Sequence, residues 1–295
     1  MVKPNTQFEQ YLAEEVAKYR DTYFPIRASR LTRLLVRHAR CDRLHPNPED
    51  EFCMPSVGPS YEIIDRYMKE YRMAEKSGLK REYCDEPIIV EKIYPDGYLI
   101  LNGHHRWAAA KRMGYKKIWV QIVNLTQESD IKKRLSASKN DKRVTLDLDE
   151  VVFAPDGAPA EAALPFPLSK FYTERLRRGI PALFNLLDQS GYDVWLYTRQ
   201  YRSVEHVRHL FERYHARITG VITGAGRKTR IARDAKKAID ALFAGKYRET
   251  LNVNADAVVY IASESKSVEE YPLNGGEGWA RQVMDIVKGL QAHEG

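Results

Sequence analysis

Long apolar stretches are missing from this sequence. No run of about 18 or more apolar residues occurs, so no transmembrane helix is expected. The amino terminus, with Lys3, Asn5, Gln7, Glu9 and Gln10, lacks the apolar core of a secretory signal, and a cytoplasmic protein is the expectation. Cysteine is scarce as well. Cys41, Cys53 and Cys84 are odd in number, scattered and without CxxC spacing, which argues against a disulfide framework and a zinc site and leaves reduced, structural thiols. No internal repeat or low-complexity tract is present, so solenoids and tethers drop out too.

What is there is a chain of 295 residues, longer than one compact core usually needs, and two domains of roughly 150 residues each are the default. The net charge of +7 is uneven: residues 1–140 carry 25 Lys and Arg against 19 Asp and Glu, whereas 141–295 carry 22 against 21. A basic first half favours anionic partners such as a nucleotide, a phosphorylated metabolite or nucleic acid. Arg27, Arg30, Arg33, Arg37 and Arg40 recur every three or four residues, so in a helix they would share one cationic face. An ordinary solvated face is the plainer reading, because the segment has no nucleic-acid motif and no interleaved aromatic platform.

Phe8, Tyr11, Leu12, Val16 and Tyr19 fall on one side of a predicted helix, as do Tyr61, Ile64, Met68 and Tyr71. A Pro-rich loop, His45 to Pro59, lies between them. The strand-like run 87–90, the turn Pro95-Asp96-Gly97 and the run 98–101 read as a β-hairpin. Asn102-Gly103-His104-His105-Arg106 then opens a helical run ending at Gly114, and 118–123 reads as a further strand. Residues 126–143 are polar and offer no evident buried face, placing a domain boundary near 140. Beyond it, strand-like runs (144–148, 194–197, 218–223, 257–261) alternate with helix-like ones (180–190, 204–214, 231–243). That alternation predicts a parallel α/β sheet.

A Gly-His-His-Arg cluster where a strand becomes a helix makes an anion cradle. Gly103 permits close backbone approach, the first N–H groups of the helix point outward, and Arg106 adds a planar cationic fork. His104 and His105 would donate to phosphate oxygens, move a proton, or simply cap or pack. The segment from Pro87 to Val123 resembles the ParB/sulfiredoxin superfamily in its strand–turn–strand–GxxR–helix–strand order. Sulfiredoxin-type reductases need a cysteine where this chain has His104. Chromosome-partition ParB proteins bind CTP but add a helix-turn-helix domain, whereas here a different α/β domain follows. Free-serine kinases of this superfamily carry a similar Gly-x-His-Arg motif and use a nucleotide donor with an upstream glutamate as base. The resemblance therefore implies a nucleotide site at Asn102, Gly103, His104, His105 and Arg106, with ATP, ADP or CTP as ligand, and Glu49 or Glu51 as candidate base, alongside His105 among the catalytic candidates.

In the second half, Asp147 and Asp149 follow a hydrophobic strand and, by strand alternation, would lie on one side, a pairing that invites a divalent cation. The run from Thr145 to Phe153, followed by Arg178 through Leu187 to Thr198-Arg199, resembles the haloacid-dehalogenase-like (HAD-like) superfamily over most of residues 144–264. The resemblance implies Asp147 as nucleophile, Asp149 as general acid/base, Thr198 as phosphoryl-binding hydroxyl and Lys228 as the cation. It also implies Mg2+ held by Asp147, Asp149 and Glu264, since Ala262 and Ser263 stand where the family usually places aspartate. The insert 154–177 is too short for a large cap.

The expected architecture is thus a ParB/sulfiredoxin-like α+β domain over 1–140 and a HAD-like Rossmannoid domain with a parallel sheet and minimal cap over 141–295. The expected activity is Mg2+-dependent phosphotransferase or hydrolase chemistry on a small phosphorylated or hydroxyl-bearing substrate or a nucleic-acid end. The alternative is a nucleotide-sensing, nucleic-acid-binding regulator whose HAD-like half is degenerate; a nuclease ranks last.

Overall fold

Two six-stranded sheets, one in each half of the chain, form the framework of the fold. The structure is a computed structural model that describes residues 6–19, 23–78, 86–224, 230–262, 267–276 and 278–294. The chain divides into two compact units, Met1–Asn124 and Leu125–Gly295. No helix among the described residues is long and apolar enough to cross a membrane.

The first unit runs α1 (Thr6–Tyr19), β1 (Phe24–Pro25), α2 (Arg30–Leu35), β2 (His38–Arg40), β3 (Leu44–His45), α3 (Tyr61–Lys76), β4 (Ile88–Tyr94), β5 (Tyr98–Asn102), α4 (His104–Arg112) and β6 (Lys117–Val123). Its sheet has the order β2-β6-β4-β5-β3, with β1 on the end of β4. The predicted hairpin is present: β4 and β5 pair antiparallel around Pro95-Asp96-Gly97. The helical stripes are core, with Phe8, Leu12, Val16 and Tyr19 of α1 and Ile64 and Tyr71 of α3 all buried. The arginine stripe is not one helical face. Only Arg30 and Arg33 lie in the six-residue α2, and Arg40 lies in β2, because Val36 turns to extended backbone and ends the helix.

The second unit runs α5 (Glu128–Ala137), β7 (Lys142–Asp147), α6 (Ile180–Gln189), β8 (Tyr192–Tyr197), α7 (Val204–Arg213), β9 (Gly220–Ile222), α8 (Arg230–Ala244), β10 (Glu249–Val253), β11 (Ala257–Ala262), β12 (Ser267–Pro272) and α9 (Trp279–Glu294). The order is β12-β11-β10-β7-β8-β9, with β9, β8, β7 and β10 parallel and β11 and β12 antiparallel additions. The segment expected to be a bare linker contains α5 instead. Ile131 and Leu135, one turn apart, are buried against Trp195, Ile222, Phe243 and Tyr247.

β10 carries a second correction. The chain does not continue from α8 into the 258–261 strand as a parallel neighbour of β7; β10 takes that place and β11 folds back on it. Ala262 pairs with Glu249, which pairs with Lys142, so β11 ends at the edge of the sheet opposite Asp147. Glu264, expected to follow this strand as a metal ligand, lies outside the described residues.

Candidate functional site

In the first unit the site is built where β5 becomes α4. Gly103 caps the helix in the left-handed region, φ 101°, which a side chain would strain. An added Cβ there would meet Arg106 Nε and Nη2 and Ile88 Cγ1, each at 3.2 Å. The Arg106 guanidinium therefore lies folded against the Gly103 backbone at the helix N-terminus. It is buried, and its Nη1 donates to the Glu86 carbonyl at 2.7 Å and approaches the Glu86 carboxylate at 3.4 Å. Among the described residues, its Nε and Nη2 have no hydrogen-bond partner. Together with the N–H groups of the first helical turn, they make a set of donors of the kind that suits an oxyanion. Asn102, at the strand end, is exposed.

The histidines have other partners. His104 Nε2 accepts from Asn47 N–H at 3.1 Å, and its Nδ1 lies 3.5 Å from Asp50 Oδ1. His105 Nε2 accepts from Ser60 N–H at 3.1 Å. Phe52 stacks on one ring and meets the other edge-on. Burial pushes His104 down to about 4, and burial also lowers His105. Both rings thus accept from the loop 47–60 and tie it to α4. That loop carries Glu49, half-buried, and Glu51, exposed, with Asp50 capping the turn through Phe52 N–H. Asn47 and Asp50 escaped sequence reading because only the fold brings them to the histidines.

In the second unit, Asp147 and Thr198 sit at and just past the carboxyl ends of adjacent parallel strands, β7 and β8. Asp149 does not share a strand face with Asp147, because a single π-helical turn, Leu148–Val152, follows β7 at once. Asp147 Oδ1 accepts the backbone N–H groups of Asp149 and Glu150, both at 2.8 Å. Asp149 accepts from the buried Thr198 hydroxyl on one oxygen and from Arg202 on the other. Arg202 also binds Glu174, which faces His206. Burial would raise Glu174, but the facing His206 and the Arg202 charge hold it at about 2.

A cavity of about 450 Å3 opens here, walled by Asp149, Phe153, Glu174, Arg175, Gln200 and Arg202. The short insert doubles back through Phe153–Leu176 and Ala160–Arg177 bridges to form one wall. Lys228 and Glu264 lie outside the described residues. Glu174 and Arg202 carried no signal in the sequence, being 28 positions apart.

Residues 71–139 match the ParB N-terminal domain. The ParB match takes in the whole Asn102–Arg106 cluster and stops short of β7. An ATP-dependent L-serine kinase of Staphylothermus marinus is 50% identical over 72 residues, 24% of this chain and 27% of that protein. Another ATP-dependent L-serine kinase, of Desulfurococcus mucosus, is 41% identical over 64 residues, 21% of this chain and 24% of that protein. The chain spans about a quarter of the length of these curated relatives. No solved structure matches it significantly.

Proposed function

We propose that the first unit binds a nucleoside triphosphate, ATP above ADP or CTP, at the N-terminus of α4 and transfers its terminal phosphoryl group to the hydroxyl of a small acceptor such as serine. The observation that carries this reading is the donor edge of Arg106, Nε and Nη2, held against Gly103 beside the N–H groups of the first helical turn. The likeness of this segment to L-serine kinases supports the same chemistry. Phosphoryl transfer asks mainly for positioning and charge neutralisation. Arg106 and the helix N-terminus grip donor phosphates. Glu51, on the loop tied to α4 by His104 and His105, accepts the acceptor's hydroxyl proton as its oxygen bonds to phosphorus and the nucleoside diphosphate leaves. Mg2+ bound with the nucleotide would supply counter-charge to its phosphates.

Titration calorimetry with ATP, ADP and CTP plus magnesium, on wild type and Arg106→Ala, tests the binding half, and phosphorus NMR of the same mixture with serine tests transfer. Failure of all three nucleotides to bind the wild-type protein would sink the proposal.

Residues 141–295 we read as a HAD-like domain. Its support is topological: a central β7 flanked by parallel β8 and β10, Asp147 and Thr198 at one edge, and a minimal insert beside them. The expected Mg2+ shell does not fit the described residues. Both Asp149 oxygens are engaged, and no group of three His, Cys, Asp or Glu side chains converges. Phosphate release from small phosphoesters by wild type, unchanged in Asp147→Asn, would remove Asp147 as a nucleophile. The arginine stripe that the regulatory reading placed on one helical face is interrupted where α2 ends at Leu35.

A further inference from the structure

We propose that Arg202 is the resident cation of the cavity in the second unit, taking up the Asp149 carboxylate that was expected to ligate a divalent metal, so that no metal ion binds through this carboxylate. Arg202 Nε and Nη2 both reach Asp149 Oδ1 at 3.1 Å, and its Nη1 bonds Glu174. One planar guanidinium thereby joins two carboxylates that come from opposite walls, the turn after β7 and the returning arm of the insert. The other oxygens of the same two carboxylates are engaged as well: Thr198 donates to Asp149 Oδ2, and His206 stands 3.6 Å from Glu174 Oε2.

These groups are sheltered, with side-chain exposures of 26% for Arg202, 25% for Asp149 and 22% for Glu174. A loosely held surface pair would be weak, but a partly buried planar fork on two carboxylates is held more firmly. The charge balance points the same way. A guanidinium stays protonated at any working pH, so it permanently offsets one of the two carboxylate charges it bridges. Mg2+ requires near-octahedral oxygen ligands and keeps several waters. Here the Arg202 guanidinium lies 5.1 Å from the Phe153 ring centroid, and an aromatic face suits a weakly hydrated planar cation, not a hydrated metal ion. The inference rests on this geometry and not on the kinase reading of the first unit.

The test is electron paramagnetic resonance of Mn2+, as a Mg2+ surrogate, titrated into the full chain as wild type, Arg202→Met and Arg202→Met with Asp149→Asn. Removing the guanidinium should leave Asp149 and Glu174 as free oxygen ligands, so Arg202→Met should hold one Mn2+ about tenfold or more tighter than wild type, and Asp149→Asn should abolish that gain. Mn2+ bound by wild type and released by Asp149→Asn alone would overturn the proposal. So would an Arg202→Met protein that binds no more than wild type. Circular dichroism checks folding, and Arg202→Gln, read by the same two criteria, serves if the methionine variant does not fold.

Discussion

The backbone N–H of Asn47 donates to Nε2 of His104 at 3.1 Å, and this bond fixes what the ring can do. Its remaining ring proton faces Asp50, so the neutral imidazole is spent on holding a loop, as His105 is one residue later through Ser60. The acidic loop 47–60 is thereby anchored near both its ends to the first turn of α4.

That anchoring makes the first unit acid-sensitive. An exposed imidazole titrates near 6.5, whereas burial, only partly opposed by Asp50, holds His104 at about 4. As pH falls below 6.5 the unfolded chain takes up a proton that the folded chain refuses until about 4, so stability is lost across that window. Urea melts at pH 7 and 4.5 should show a steeper loss for wild type than for His104→Gln, whose amide oxygen can accept from Asn47. Parallel losses would show that His104 is not the sensor.

Gly103→Ala should cost about 1–2 kcal/mol, from the left-handed backbone alone. The added methyl would also press on Arg106 and Ile88, so nucleotide affinity should fall together with stability. Urea denaturation and calorimetry on one preparation check both; a destabilised variant with unaltered ATP binding would dissociate the cap from the site.

Arg106→Lys should fail almost as fully as Arg106→Ala. A lysine ammonium cannot donate to the Glu86 carbonyl and also present a second donor edge beside Gly103, so the ATP dissociation constant should rise about tenfold or more in both variants. Rescue by lysine would mean that charge alone suffices.

Glu174→Gln should destabilise the second unit by about 1–2 kcal/mol at neutral pH, allowing for partial exposure of the cluster. Since Glu174 titrates at about 2 in the fold, its contribution is complete above about 4.5 and is lost as pH falls toward 2. Thermal melts at pH 7 and pH 2.5 should therefore show a gap between wild type and variant that narrows in acid.

Much of the first unit was legible because its signals are local. The α1 stripe, the Pro95-Asp96-Gly97 turn and the glycine before His104 each act within a few residues, and each stands where its pattern puts it. The helix α5 was not legible, since two apolar residues among many charges become a buried face only when Trp195 and Phe243 arrive from far along the chain. The strand β10 was hidden for a related reason. Its Leu251 and Val253 are a short apolar alternation, outweighed in the sequence by the stronger 257–261 run that pairs with it.

The amino-acid order by itself settled which residues cap, turn and alternate, because backbone preference and hydrophobic period are properties of neighbours. It also marked Gly103 through Arg106 as a place where an anion can be held. Only the tertiary structure decided the partners: that Arg106 anchors on Glu86, that two histidines hold a loop, and that Arg202 lies between Asp149 and Glu174. Charge and hydrogen bonding act through space over a few ångströms, and the chain brings residues that close from 20 to more than 50 positions away.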